Sequence, residues 1–179
     1  MENNRMLKIE QKNIESTSPS PNFVLIDGAL WGFDLKKAKN KNKAFHSLYR
    51  GEMGEALAKN APYLFEVEPG GVFEKWVKSL DPVGRRVTWL HSSATLDELR
   101  QHLRRFLRMK NEEGGMIYFR FYDPLVLNVV LPHLTESQRI EFFNKINYIE
   151  IEDKKIDERV RYYLTEEYEL VTEKEEICG

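Results

Sequence analysis

Covalent or acid–base chemistry in this chain would have to come from an aspartate at a strand end or from a histidine beside a serine. Asp27 closes the apolar run Phe23–Ile26 and precedes Gly28. A carboxylate placed there can act as a base, or it can satisfy backbone amides and pair with an arginine, and the second reading is preferred. His91-Ser92-Ser93 follows a β-prone run beginning at Arg86 and sets a base beside a hydroxyl. Nucleophilic catalysis also needs an oriented base and an oxyanion site, and no Gly-x-Ser-x-Gly elbow surrounds these serines. They read instead as a turn leading into a helix. His46, His91, His102 and His133 are widely spread, with no carboxylate close by at metal-ligand spacing. Gly70-Gly71 lacks the lysine and Ser/Thr of a phosphate loop. Cys178 has no partner for an intrachain disulfide. The expectation is therefore no catalytic residue, no metal, no cofactor and no enzyme activity, with a small hydrolase or transferase using Asp27, His91 and Ser92 as the alternative.

One charge stands out by its surroundings. Met116 to Pro124 is the densest aromatic run, introduced by Gly114-Gly115 and closed by a proline. It reads as a central buried strand with Met116, Tyr118 and Arg120 on one face and Ile117, Phe119 and Phe121 on the other. Arg120 would then need a carboxylate, which Asp123 or Asp27 could supply.

The elements that must position these groups follow from local pattern. Phe23–Ile26, Ala44–Tyr49, Tyr63–Val67, Arg86–His91 and Tyr148–Ile151 read as strands. Gly51–Asn60 and Val72–Leu80 read as helices, and Lys36–Lys43 as solvated loop or frayed helix. Thr95-Leu96-Asp97-Glu98 and Thr135-Glu136-Ser137-Gln138 are capping boxes, each opening a helix. In the first, Leu96, Leu99, Leu103, Phe106 and Leu107 lie within an arc of about 100°, while Arg100, Arg104 and Arg108 line one flank. Leu125–Leu131 reads as a short buried helix. The segment from 153 is acidic and tyrosine-bearing, and its pattern fits strand and helix equally. The fold class expected is α/β: a mixed sheet covered by helices, with a mobile leader (1–22), one compact domain (23–152) and a short variable C-terminal extension (153–179).

The chain has 179 residues, a formal net charge of −2 and 41% hydrophobic residues. That length suits one ordinary domain, and the charge argues against a general nucleic-acid binder. The sequence contains no apolar run near the roughly 20 residues of a membrane span and no signal-like N-terminus, so a cytoplasmic location without membrane insertion is expected.

Phe119-Arg120-Phe121-Tyr122-Asp123-Pro124 resembles the signature of the effector adaptor (chaperone) domain family of bacterial type VI secretion systems. Leu25-Ile26-Asp27-Gly28-Ala29, Ser47-Leu48-Tyr49, Ala61-Pro62-Tyr63-Leu64 and His102-Leu103-Arg104-Arg105-Phe106-Leu107 resemble further blocks of it, in matching order between Phe23 and Ile146. The resemblance implies a non-enzymatic protein that binds a toxin effector and assists its loading onto the spike (VgrG), encoded beside both. It marks Asp27, Arg120, Tyr122, Asp123 and Pro124 as a structural signature. Because such adaptors share the central blocks yet distinguish effectors, effector contacts are expected mainly outside them, on Tyr162, Tyr163 and Tyr168; Arg104 and Arg108 are a secondary expectation, as a charged contact for the spike or an acidic effector patch.

Overall fold

Phe23, Leu25 and Asp27 alternate with Val24 and Ile26 along the first strand, and all five are buried, so this strand must be covered on both sides. The computed structural model describes residues 19–50, 56–81, 84–110, 114–153 and 158–177. Among them run nine strands: β1 (Phe23–Asp27), β2 (Phe45–Ser47), β3 (Pro62–Glu66), β4 (Val87–His91), β5 (Arg108–Lys110), β6 (Met116–Tyr118), β7 (Tyr148–Asp153), β8 (Glu158–Leu164) and β9 (Leu170–Glu176). The α-helices are α1 (Gly28–Trp31), α2 (Phe33–Lys41), α3 (Val72–Leu80), α4 (Leu96–Arg104), α5 (Pro124–Val130) and α6 (Glu136–Phe143).

Seven strands form one sheet in the order β2-β3-β1-β4-β7-β8-β9, and every pairing in it is antiparallel. Leu25 sits opposite Leu64 on one side and Thr88 on the other. One face carries Val24, Ile26, Phe65 and Trp89 against Leu35 and Ala38 of α2 and Val77 of α3. The opposite face carries Phe23, Leu25, Leu90 and Ile149 against Leu99 and Leu103 of α4, Leu127 of α5, and Phe142 and Phe143 of α6. The result is a three-layer α/β domain with a core on each side of the sheet. Both capping boxes are formed as the spacing predicts, with Thr95 taking the Glu98 amide and Thr135 the Gln138 amide.

Three readings change. The aromatic run is not a central strand: only Met116–Tyr118 is extended, it pairs with β5 in a separate two-stranded sheet, and Met116 and Tyr118 are exposed. Phe119, Phe121 and Tyr122 are all buried, which a period of two cannot achieve, so the chain turns there to deliver Asp123 to α5. The Lys36–Lys43 stretch is largely helix α2, because Leu35 and Ala38, three positions apart, bury one face. Its lysines find aromatic partners, Lys39 over the Tyr63 ring at 3.7 Å and Lys41 over Trp76 at 5.3 Å. Helix α5 is amphipathic rather than fully buried: Leu127 is sequestered while Leu125 and Val129 are exposed.

The C-terminal segment, whose pattern fits strand and helix equally, is strand: β8 and β9 extend the main sheet as a hairpin. Glu150 and Glu152 of β7 are buried on the sheet face shared with Trp89, opposite Arg161 and Arg159 of β8. Arg159 reaches Glu150, Glu152 and Glu175 at 3.2–3.4 Å, and Arg161 meets Glu150 at 2.9 Å. Cross-strand pairing of this kind lets a charged sequence complete a sheet. Part of the Gly51–Asn60 expectation and of the expected leader, residues 51–55 and 1–18, lies outside the described residues. Asn22, assigned to that leader, is instead tied to β4 and its exit, with its amide on the Leu90 carbonyl and its side chain on Ser92.

Candidate functional site

Arg120 lies where two helix starts meet. Asp27 ends β1 and caps α1, its carboxylate accepting the Ala29 amide at 2.9 Å. Asp123 caps α5, accepting the Leu125 amide at 3.0 Å, and Pro124 follows at a first-turn position whose N–H would have no helical partner. The Arg120 guanidinium bridges both, at 2.9 Å from Asp27 and 3.2 Å from Asp123. Asp27 is buried whereas the Arg120 side chain is 45% exposed, so this clamp has one dry and one wet end. Partial burial opposes the charge on Arg120, but the Asp27 hydrogen bond and the Asp123 carboxylate outweigh it and hold its pKa above the ordinary value.

Tyr122 completes the node from beneath. Its backbone carbonyl accepts the Thr88 hydroxyl at 3.3 Å, and its phenol is hydrogen-bonded with Tyr49. Burial raises the Tyr122 pKa, with Tyr49 and Asp27 adding to the rise. Gly28 has a steric role: a Cβ there would lie 2.5 Å from the Ala61 carbonyl oxygen, which the Gly28 amide instead approaches to 3.0 Å. The structure thus brings Asp27, Arg120, Tyr122, Asp123 and Pro124 together. Residue-by-residue reading missed Tyr49 and Gly28, although both stand in the short blocks, and only their mutual placement explains them.

The arginine flank of α4 is turned inward more than expected. Arg100 Nε donates to the Ser47 carbonyl at 2.8 Å and Arg104 Nε to the Leu48 carbonyl at 2.9 Å, so both hold the chain leaving β2. Desolvation, then neighbouring Arg100 and Arg50, lowers the Arg104 pKa. Arg108 stands apart, donating to the Tyr118 hydroxyl at 3.0 Å.

Asp27 and the His91-Ser92 pair lie at opposite ends of the sheet, because β1 and β4 run antiparallel with Phe23 opposite Leu90 and Ile26 opposite Val87. Along strands of this length the separation is about 15 Å. Ser92 is buried, donates its hydroxyl to the Lys145 carbonyl and accepts the Ala94 amide. His91 stacks on Tyr148 with ring centroids 5.2 Å apart. The topology does not gather these groups into a catalytic set.

The three candidate contact tyrosines separate. Tyr162 faces the core, 1% exposed, with its hydroxyl on Asn128 and its pKa pushed by burial up to about 12. As a strand residue on the inner face it is unavailable to a partner, which corrects that expectation. Tyr163 is half-buried and donates to Glu173 at 2.7 Å. Tyr168, in the β8–β9 turn, is exposed.

Among the described residues, no helix is long and apolar enough to cross a membrane. No curated protein and no solved structure matches the chain. The family described as a domain of unknown function, DUF4123, matches residues 22–141, a stretch that holds β1, the Arg120 node and all five sequence blocks. That match covers well over half of the chain, which therefore belongs to the DUF4123 family.

Proposed function

We propose that this protein is a non-enzymatic adaptor of a type VI secretion system, acting in the cytoplasm, that binds a toxin effector and assists its loading onto the spike. The observation that carries the proposal is that the five blocks resembling the adaptor family form one connected network. Arg120 of the last block pairs with Asp27 of the first, and Gly28 beside it donates to Ala61 of the third. Tyr122 bonds Tyr49 of the second, whose neighbour Leu48 accepts from Arg104 of the fourth. Residues resembling a family in sequence order would be scattered in a chance match. Their convergence supports a shared scaffold, and membership of a family matching the same stretch supports it further. The separation of Asp27 from His91 and Ser92 favours binding over hydrolysis.

The test is calorimetric titration of the purified chain against the purified product of the effector gene beside its own. A saturable one-site interaction is expected. No heat and no co-elution at concentrations of about 50 μM, where even a Kd of about 10 μM would give a clear signal, would contradict the proposal.

A further inference from the structure

Tyr168 is the one non-glycine with positive φ among the described residues, at 62°. The turn it occupies is tight: the Tyr168 amide donates to the Thr165 carbonyl at 3.0 Å, and the Thr165 amide donates to the Glu169 carbonyl at 3.0 Å. Glu169 adds a bond from its own amide to the Thr165 hydroxyl at 3.2 Å. This is a three-residue hairpin connection ending in a left-handed position, where glycine or asparagine ordinarily stands because a Cβ crowds the backbone. A bulky aromatic there is an outlier that the fold does not need. Nor does the ring repay it by packing, since Tyr168 is 51% exposed. The turn therefore carries a strained, outward aromatic where a smaller residue would serve the hairpin better.

The surroundings indicate what the ring fits. Glu166, Glu167 and Glu169 flank it and are all exposed, and none makes an ion pair among the described residues. The hairpin also lies at the end of the sheet, with β9 as its outermost strand. An aromatic with a polar tip, flanked along the turn by exposed carboxylates, is the chemistry of an interface anchor: the ring enters an apolar pocket and the acids meet lysine or arginine at its rim.

We infer that the β8–β9 turn is the effector-contacting element, with Tyr168 inserting into an apolar pocket of the effector protein whose rim is basic. This deepens the adaptor reading and rests on it. Of the three tyrosines considered, Tyr168 alone is positioned for such a contact, Tyr162 being buried and Tyr163 engaged with Glu173.

The experiment uses the full chain with Tyr168→Asn and Tyr168→Phe, the purified product of the neighbouring effector gene as probe, and a thermal melt of each variant. Asparagine tolerates the left-handed backbone, so Tyr168→Asn keeps or raises the melting temperature while weakening binding by about tenfold or more. Tyr168→Phe keeps the affinity within about threefold, and raising the salt weakens the wild-type complex by slowing association. If wild type binds and Tyr168→Asn binds within about threefold of it, the placement is overturned while the adaptor reading stands. A marked fall in the melting temperature of Tyr168→Asn would equally overturn the placement, by showing that the ring serves the fold. If wild type does not bind at all, the adaptor reading fails and the placement with it.

Discussion

Replacing Arg120 with alanine leaves Asp27 buried with the Ala29 amide as its remaining hydrogen bond, and frees Asp123 from the clamp. Breaking a fully buried pair costs about 3–5 kcal/mol, but the exposed side of Arg120 admits water, so a loss of about 2 kcal/mol is expected by urea titration. An unchanged midpoint would show that the node does not stabilise the fold. His102 gives a second prediction at this scale. It is buried, its Nε2–H donates to the Phe142 carbonyl at 2.8 Å, and desolvation lowers its pKa below 6.5. A histidine depressed in the folded state takes its proton more readily when unfolded, so stability falls as pH drops below about 6.5 and levels off below the folded pKa. His91, also lowered by desolvation, acts in the same direction. His102→Gln, which keeps a donor, should flatten the slope between about pH 7 and 5 without abolishing it. A slope identical to wild type would show that His102 does not titrate with unfolding.

Thr95 and Thr135 illustrate what is legible locally, since a capping box is complete within four residues and needs no tertiary context. Thr95→Ala should cost about 1 kcal/mol, measurable as a lower urea midpoint with unchanged slope. The strands of the first half were legible for a related reason, their apolar runs being bounded by turns. The C-terminal hairpin was not, because the sheet face opposite Tyr162 pairs Arg159 and Arg161 with Glu150 and Glu152 across neighbouring strands, a pairing that only the register of β7 against β8 creates. An acidic segment looks solvated until its cross-strand arginines are in place. The misreading of Met116–Pro124 has another cause: aromatic density implied a strand, but Phe119, Phe121 and Tyr122 are buried by a turn that no periodicity encodes. The same hairpin yields an expectation about truncation. Removing residues after 157 strips β7 of β8, takes buried Val160 and Tyr162 from the core, and leaves Glu150 without Arg161. The truncated chain should be insoluble or lack dispersed amide resonances, and a soluble, cooperatively melting fragment would contradict this.

Across the molecule, the seven-stranded sheet with a helical layer on each side keeps the Arg120 node near one end of β1 and the Asn22–Ser92 contact at the other. The five blocks were visible in the sequence as a resemblance, yet their physical connection was not, since contacts such as Tyr49 with Tyr122 and Leu48 with Arg104 join residues far apart along the chain. That connection makes the domain a stable platform, while the β8–β9 turn presents a side chain the platform does not require. On the proposed adaptor reading, stability and recognition fall to different parts, and mutations should divide accordingly: Arg120→Ala is expected to lower stability, and Tyr168→Asn to lower effector binding. The most direct test of the adaptor account is export of the effector encoded beside this chain, measured in the culture medium of a host strain from which the chain is deleted. The account predicts that the effector remains inside the cell while assembly of the secretion apparatus is unaffected, and that export returns with the wild-type chain. Undiminished export in the deletion strain would contradict it.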